Sequence, residues 1–288
     1  MISLYILFVL VGMGALFGVL IALAHKKMAV ETDPRIHEVD DILPKGQCGA
    51  CGYAGCMAYA EAVVKNPDVA PNLCIPGKEA VALEVARITG KNPAPVELKL
   101  ATVRCAGTYA KANRVFEYKG IRDCVAANML QGGSKGCRYG CLGYGTCKEA
   151  CQFGAMTMTP EGLPRVNPER CTGCGKCAQV CPRSVIQLYD LGIHVRVNCN
   201  SRDKGQVSRQ NCQVSCIACG ICSKQCPHGA IKIDNFLAVV DHAVCREKCS
   251  DPVCLAKCPT KAITLAVLGV APGDEDQLDA ASGIAARH

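Results

Sequence analysis

Cys171-Thr172-Gly173-Cys174-Gly175-Lys176-Cys177-Ala178-Gln179-Val180-Cys181-Pro182 and Cys216-Ile217-Ala218-Cys219-Gly220-Ile221-Cys222-Ser223-Lys224-Gln225-Cys226-Pro227 are one pattern written twice. In each, two residues separate the first three cysteines, three separate the third from the fourth, and a proline closes the run. Three thiolates at that spacing wrap one cubic 4Fe–4S cluster, while the fourth reaches a neighbouring cube. Zinc sites favour isolated cysteine pairs, so two such runs in one chain point to iron–sulfur ligation.

Each run has a looser partner. Cys137-x3-Cys141-x5-Cys147-x3-Cys151 precedes the first, and Cys245-x3-Cys249-x4-Cys254-x3-Cys258-Pro259 follows the second. With the crossed connectivity of two-cluster ferredoxins, the first pair predicts the sets Cys137, Cys141, Cys147 with Cys181, and Cys171, Cys174, Cys177 with Cys151. The second pair predicts Cys216, Cys219, Cys222 with Cys258, and Cys245, Cys249, Cys254 with Cys226. Cys151 is followed by Gln152 where the motif has proline, and the widened loops alter the backbone hydrogen bonds that tune cluster potential.

A fifth set lies upstream, in Cys48-x2-Cys51-x4-Cys56-x17-Cys74. Gly49, Gly52 and Gly55 let its backbone approach cluster sulfurs, and a structural zinc site is the plainer alternative for it. Four cysteines remain: Cys105, Cys124, Cys199 and Cys212. A buried free thiol is the ordinary reading of each. Four is also the number that one more cube needs, and Cys105 and Cys199 each end a β-like run.

The rest of the chain fits small, cluster-stapled folds. Its 288 residues include 24 cysteines, 28 glycines and no tryptophan, too little apolar bulk for one large conventional core. Residues 137–188 and 216–267 share one plan of cysteine run, short strands and cysteine run, an internal repeat. Alternation in Ala155-Met156-Thr157-Met158, Ile186-Gln187-Leu188 and Ile231-Lys232-Ile233 predicts the short strands of a ferredoxin fold. Helices are predicted over 57–65 and 78–88, with Gly90 and Asn92-Pro93-Ala94-Pro95 ending the second. The expected fold class is α+β, divided as an anchor over 1–27, an N-terminal 4Fe–4S module with linkers over 28–95, ferredoxin-like modules over 96–200 and 201–268, and a disordered tail over 269–288.

Residues 2–24 carry no charged side chain, a run long enough to span a bilayer core of roughly 30 Å. Ala22-Leu23-Ala24 resembles a signal-peptide cleavage site, but such a peptide carries its basic residues before the apolar run, and here His25, Lys26 and Lys27 follow it. The expectation is an uncleaved single-pass anchor in the cell membrane, with the cluster domains on its cytoplasmic side by the positive-inside rule. A reducing cytoplasm disfavours disulfides, which leaves metal ligation as the use for so many thiols. Gly14 and Gly18 form a small-xxx-small pair that suits packing against another membrane helix, although glycine is common in such helices. The formal charge of +7 does not argue for nucleic acid, because each four-thiolate cube carries about −2 and no basic run is interleaved with aromatics.

Three stretches resemble the B subunit of the Rnf complexes, the ion-translocating ferredoxin:NAD oxidoreductases, in the longer form with extra ferredoxin-type modules. They are the N-terminal span followed by Cys48-Gly-Ala-Cys51-Gly-Tyr-Ala-Gly-Cys56 through Ala62, Lys135-Gly136-Cys137-Arg138-Tyr139-Gly140-Cys141-Leu142-Gly143, and the two ferredoxin-type runs. The resemblance implies an electron carrier that takes electrons from soluble ferredoxin and passes them to other membrane subunits, which reduce NAD and move sodium ions or protons. It implies at least five 4Fe–4S clusters and no catalytic residue of the chain's own. Consistent with this, no strand-Gly-x-Gly-x-x-Gly-helix unit for a dinucleotide occurs.

Two rivals stand beside that reading. One is a polyferredoxin of another membrane redox complex; the other is an iron–sulfur enzyme that transforms a small substrate. An enzyme needs an open iron site or an acid–base pair, whereas the five sets each have four thiolates and His25, His37, His194, His228, His242 and His288 form no paired arrangement.

Overall fold

The computed structural model describes residues 2–28, 33–93, 95–96, 98–190 and 195–265. The tail expected over 269–288, and with it His194 and His288, lies outside the described residues.

Helix α1 (Ile2–Met28) carries an apolar stretch, Tyr5–Ala24, long enough to cross a membrane. Its apolar side chains face outward all round, with Tyr5, Phe8 and Ile21 about two-thirds exposed or more (74%, 68% and 68%). A helix apolar on every face needs lipid or other protein around it.

The N-terminal module packs α2 (Pro34–Ile42), α3 (Cys56–Lys65) and α4 (Lys78–Thr89) around Val39, Tyr59, Val63 and Val85, all buried. Part of the linker sequence expected within 28–95 is therefore a core helix. Its start is written locally: the Asp33 carboxylate accepts the Arg35 N–H at 2.9 Å and Pro34 takes the first helical position. Ile36, Val39 and Leu43 then fall on one face, three and four residues apart, and all are buried. Helix α4 ends at Gly90, whose φ of 69° is the left-handed cap that glycine adopts without strain.

Lys91 follows at once, and its Nζ donates to the carbonyls of Val63, Asn66 and Val69, each at 2.7 Å. It satisfies carbonyls at and beyond the end of α3 that no helical N–H reaches. Lys91→Met takes the ammonium donor from Val63 O and Val69 O and leaves Asn66 O only the Val69 N–H, and the expected loss is about 1–3 kcal/mol of local stability. Hydrogen exchange of the full chain checks it, through faster exchange over 56–69 with the rest unchanged.

The two ferredoxin-like modules repeat one order of elements. In the first, β1 (Lys99–Val103) pairs antiparallel with β4 (Ile186–Asp190), enclosing the hairpin β2 (Met156–Met158) and β3 (Pro164–Val166). Short helices α5 (Cys124–Met129), α6 (Thr146–Glu149) and α7 (Lys176–Gln179) carry Cys124, Cys147 and Cys177, one each. In the second, β5 (Val195–Val197) pairs with β8 (Ile263–Leu265) around the hairpin β6 (Ile231–Asp234) and β7 (Leu237–Val240). Its helices are α8 (Gly205–Asn211), α9 (Ile221–Gln225), α10 (His242–Lys248) and α11 (Val253–Lys257). Strand β5 (Val195–Val197) thus pairs with a strand of the second module, although it lies within the 96–200 span.

Even the first residues past each opening strand correspond. Arg104 N–H donates to Val185 O at 2.7 Å, and Asn198 N–H to Ala262 O at 2.8 Å. Cys105 and Cys199, one residue later in each module, are thus equivalent by position. The modules are stitched there by backbone bonds: Ala106 N–H to Asn198 O at 3.1 Å, Asn113 N–H to Asn211 O at 2.9 Å and Gln213 N–H to Lys111 O at 2.9 Å. Cysteines sit inside all three apolar cores, where an ordinary domain of this size would place large side chains.

Candidate metal centres

In four of the five sets expected from spacing, the cysteines lie near one another. In the first module Cys177 faces Cys171, Cys174 and Cys151. In the second, Cys222 faces Cys216, Cys219 and Cys258, and these four line one cavity with Ile263 and Ala238. Cys254 faces Cys245, Cys249 and Cys226. The fourth cysteine of each run thus crosses to the neighbouring set, as two-cluster folds require. In the N-terminal module Cys74 faces Cys56 and Cys51, with Cys48 within electrostatic reach of Cys74.

The remaining set is assembled differently. Cys141, Cys147 and Cys181 line one cavity, but the fourth thiol on it is Cys124, not Cys137. Cys124 opens α5, where its N–H donates to Thr146 Oγ1 at 2.7 Å. Thr146 in turn donates to the Asp123 carboxylate at 2.7 Å, and Asp123 caps α5 by accepting the Ala126 N–H at 2.8 Å. Those bonds hold the Asp123 carboxyl below the usual carboxylate range and lock Cys124 beside Cys147. Cys137 lies elsewhere, beside Cys105.

A signal for this was present in the spacing. Cys141-x2-Tyr144-x2-Cys147-x3-Cys151 is the standard run with tyrosine at its second cysteine position, and Cys137 lies outside it. The backbone agrees: Gly143 and Gly145 have φ of 85° and 86°, where Gly173 and Gly175 around Cys174 have 69° and 77°. Ala218 and Gly220 around Cys219 have 53° and 73°. Three loops thus share one left-handed pair flanking the same position.

The donor sets fit clusters on two observations. Among the described residues no three Cys, His, Asp or Glu side chains converge as ligands of a single ion would. Two of the thiol sets instead surround cavities, as a cube with one cysteine per iron requires. Burial, reinforced by neighbouring sulfurs, pushes the Cys147 and Cys177 thiols up to about 12 and those of Cys222 and Cys254 up to about 11. A buried thiolate therefore needs a cation beside it, and bound iron supplies one.

One contact joins the N-terminal module to the first ferredoxin-like module. The free thiols of Cys48 and Cys174 interact across this joint, which draws Cys174 down to about 6 and pushes Cys48 up. Gly46 lies against Phe153: a methyl group there would stand 2.9 Å from the ring's Cζ.

Comparison with known proteins supports the cluster reading. A family model described as a putative Fe-S cluster domain matches residues 43–76, and one described as a 4Fe-4S binding domain matches 164–187 and 214–232. The chain is 51% identical over 277 residues, 96% of its length and 97% of the relative's, to the B subunit of the proton-translocating ferredoxin:NAD(+) oxidoreductase complex of Clostridium ljungdahlii. It is 44% identical over 251 residues, 87% of its length and 74% of the relative's, to the B subunit of the Na(+)-translocating ferredoxin:NAD(+) oxidoreductase complex of Acetobacterium woodii. Over 259 residues, 89% of its length and 96% of the relative's, it is 42% identical to the B subunit of the ion-translocating oxidoreductase complex of Methanosarcina acetivorans.

Proposed function

The chain belongs to the B-subunit family of the ion-translocating ferredoxin:NAD(+) oxidoreductase (Rnf) complexes, as an iron–sulfur electron-transfer subunit, and from that premise we propose what each part of it does. Reduced ferredoxin docks on the second ferredoxin-like module, near Cys216–Cys258. The N-terminal module, nearest α1, delivers to the partner subunits that reduce NAD and move sodium ions or protons. Helix α1 anchors the chain by a single pass in the cell membrane, with the modules on the cytoplasmic side, the side that His25, Lys26 and Lys27 favour.

Bound 4Fe–4S clusters, at least five, would supply one-electron transfer. The ligands proposed for them are the sets in the two ferredoxin-like modules and Cys48, Cys51, Cys56 and Cys74. The chain's own residues hold those thiolates, keep water from them and donate backbone N–H groups to sulfur, as Ala155 N–H does to Cys151 Sγ at 3.3 Å. The observation that supports the route is the interaction of Cys48 with Cys174, which puts the N-terminal thiols beside the first ferredoxin-like module.

Anaerobic purification of the full chain tests the reading. Expected are roughly 20 irons or more per chain, five cubes of four, with broad visible absorption that reduced ferredoxin bleaches in the absence of other subunits. A colourless chain, or one that ferredoxin does not reduce, sinks it.

A further inference from the structure

Cys105, Cys137, Cys199 and Cys212 come from four separate stretches of the chain and meet where the two ferredoxin-like modules join. Two glycines record how closely. A methyl group on Gly107 would stand 3.3 Å from Cys212 Sγ and 3.6 Å from Cys105 Sγ; one on Gly140 would stand 3.5 Å from Cys137 Sγ and 3.7 Å from Cys105 Sγ. Cys105 and Cys199 each follow the opening strand of their module, and Cys212 is held to Ala112 by an antiparallel bridge. Cys105 electrostatically faces all three others.

Two of the sulfurs also accept backbone N–H groups, the arrangement that stabilises thiolates around a cluster. Cys105 accepts from Cys141 at 3.4 Å and Cys199 from Ser201 at 3.5 Å.

The charges around the site are the third observation. Lys135 is 3% exposed, with its Nζ donating to Gly107 O at 2.6 Å, and it bears on Cys141 and Cys212. Arg183 is 8% exposed; its Nη1 donates to Cys137 O at 3.4 Å, while its Nε and Nη2 have no hydrogen-bond partner. Arg104, 9% exposed, donates to Cys199 O at 3.5 Å. The carboxylate that bears on this set is Asp203, half-buried and facing Cys137. Buried charge without a counter-charge is strongly unfavourable, and a four-thiolate cube brings about −2 to this place.

We propose that Cys105, Cys137, Cys199 and Cys212 ligate a 4Fe–4S cluster seated between the two ferredoxin-like modules, and that Cys124 takes Cys137's place beside Cys141, Cys147 and Cys181. The proposal rests on the multi-cluster reading above. It closes the row of sets, because Cys199 faces Cys216 of the second module while Cys105 faces Cys141 of the first. One electron taken from the Cys216 side is the one electron passed to the Cys141 side, and the cluster returns to its starting state.

Pairwise substitution in the anaerobically purified full chain tests the partition, since two ligands of one cluster cost one cluster and ligands of two clusters cost two. Cys137→Ala/Cys199→Ala and Cys124→Ala/Cys181→Ala are each expected to lose one 4Fe–4S centre by iron, sulfide and EPR, about four irons. Cys124→Ala/Cys199→Ala is expected to lose two. The reverse pattern, with Cys124 and Cys199 costing one centre together, overturns the exchange. Full iron in Cys105→Ala/Cys212→Ala overturns the bridging cluster. Where an alanine variant does not fold, Cys212→Ser keeps a ligand atom, and an EPR spectrum unchanged from the native chain's overturns the proposal. A native chain that holds no cluster defeats the underlying reading instead, and is distinguishable from all of these.

Discussion

Replacing Cys171 and Cys174 together by alanine drops ferredoxin-dependent NAD reduction by the assembled complex to the background of complex lacking this chain. The set they belong to is the one whose sulfur touches the N-terminal module, through Cys174 and Cys48. Electron transfer between centres falls steeply with separation, so removing the centre at that joint breaks the row where no neighbour substitutes for it. Two readouts locate the break. Reduced ferredoxin still bleaches the second module, and the N-terminal centre stays oxidised, with the loss of about four irons per chain. A variant that spares every ligand guards against a folding artefact. Gly46→Val places a branched side chain where Phe153 already packs, and should slow NAD reduction while all iron is retained. Full NAD reduction by the Cys171→Ala/Cys174→Ala complex would show that electrons leave by another route.

Much of this arrangement was legible because cluster ligation constrains sequence spacing more tightly than packing does. The two unbroken runs, ending at Cys181 and Cys226, specify their loops, their short helices and the crossing of the fourth cysteine, and the structure groups Cys151 and Cys258 accordingly. The strands followed from alternation around Met156, Leu188 and Ile231, since each hairpin needs only one buried face. Helix α2 was missed for a physical reason: two turns offer only three apolar contacts, Ile36, Val39 and Leu43, among charges that make the stretch look like a linker. The N-cap at Asp33 and Pro34 was the readable sign of it.

Spacing pointed to Cys137 rather than Cys124 beside Cys141, Cys147 and Cys181 because it counts along the chain, whereas the closeness of Cys124 to them is made by tertiary contacts. Cys124 reaches Cys147 through the Asp123–Thr146 hydrogen bond, and Cys137 is fixed by the stitching of the two modules. Neither bond leaves a local signature. The displaced second cysteine did leave one, as Tyr144 between Gly143 and Gly145.

That tyrosine supports the most direct gain-of-function result. In a chain carrying Cys124→Ala, the cluster at Cys141, Cys147 and Cys181 is expected to be lost, and adding Tyr144→Cys should restore it, a recovery of about four irons with the matching EPR signal. The loop needs no rebuilding, because its left-handed residues at Gly143 and Gly145 match those flanking Cys174 and Cys219. The side chain removed is peripheral to the cavity: Tyr144 stacks on Tyr118 with ring centroids 5.1 Å apart and its hydroxyl lies 3.2 Å from Ser134 Oγ. Losing those contacts should weaken the hold on residues 113–123 by about 1–2 kcal/mol without moving the ligand loop. Rescue would be specific to position 124: Tyr144→Cys cannot repair a chain carrying Cys137→Ala, whose missing thiol belongs to the cluster between the modules. If the new cysteine instead repairs the Cys137→Ala chain and leaves Cys124→Ala unloaded, the spacing-based set with Cys137 stands and the exchange falls.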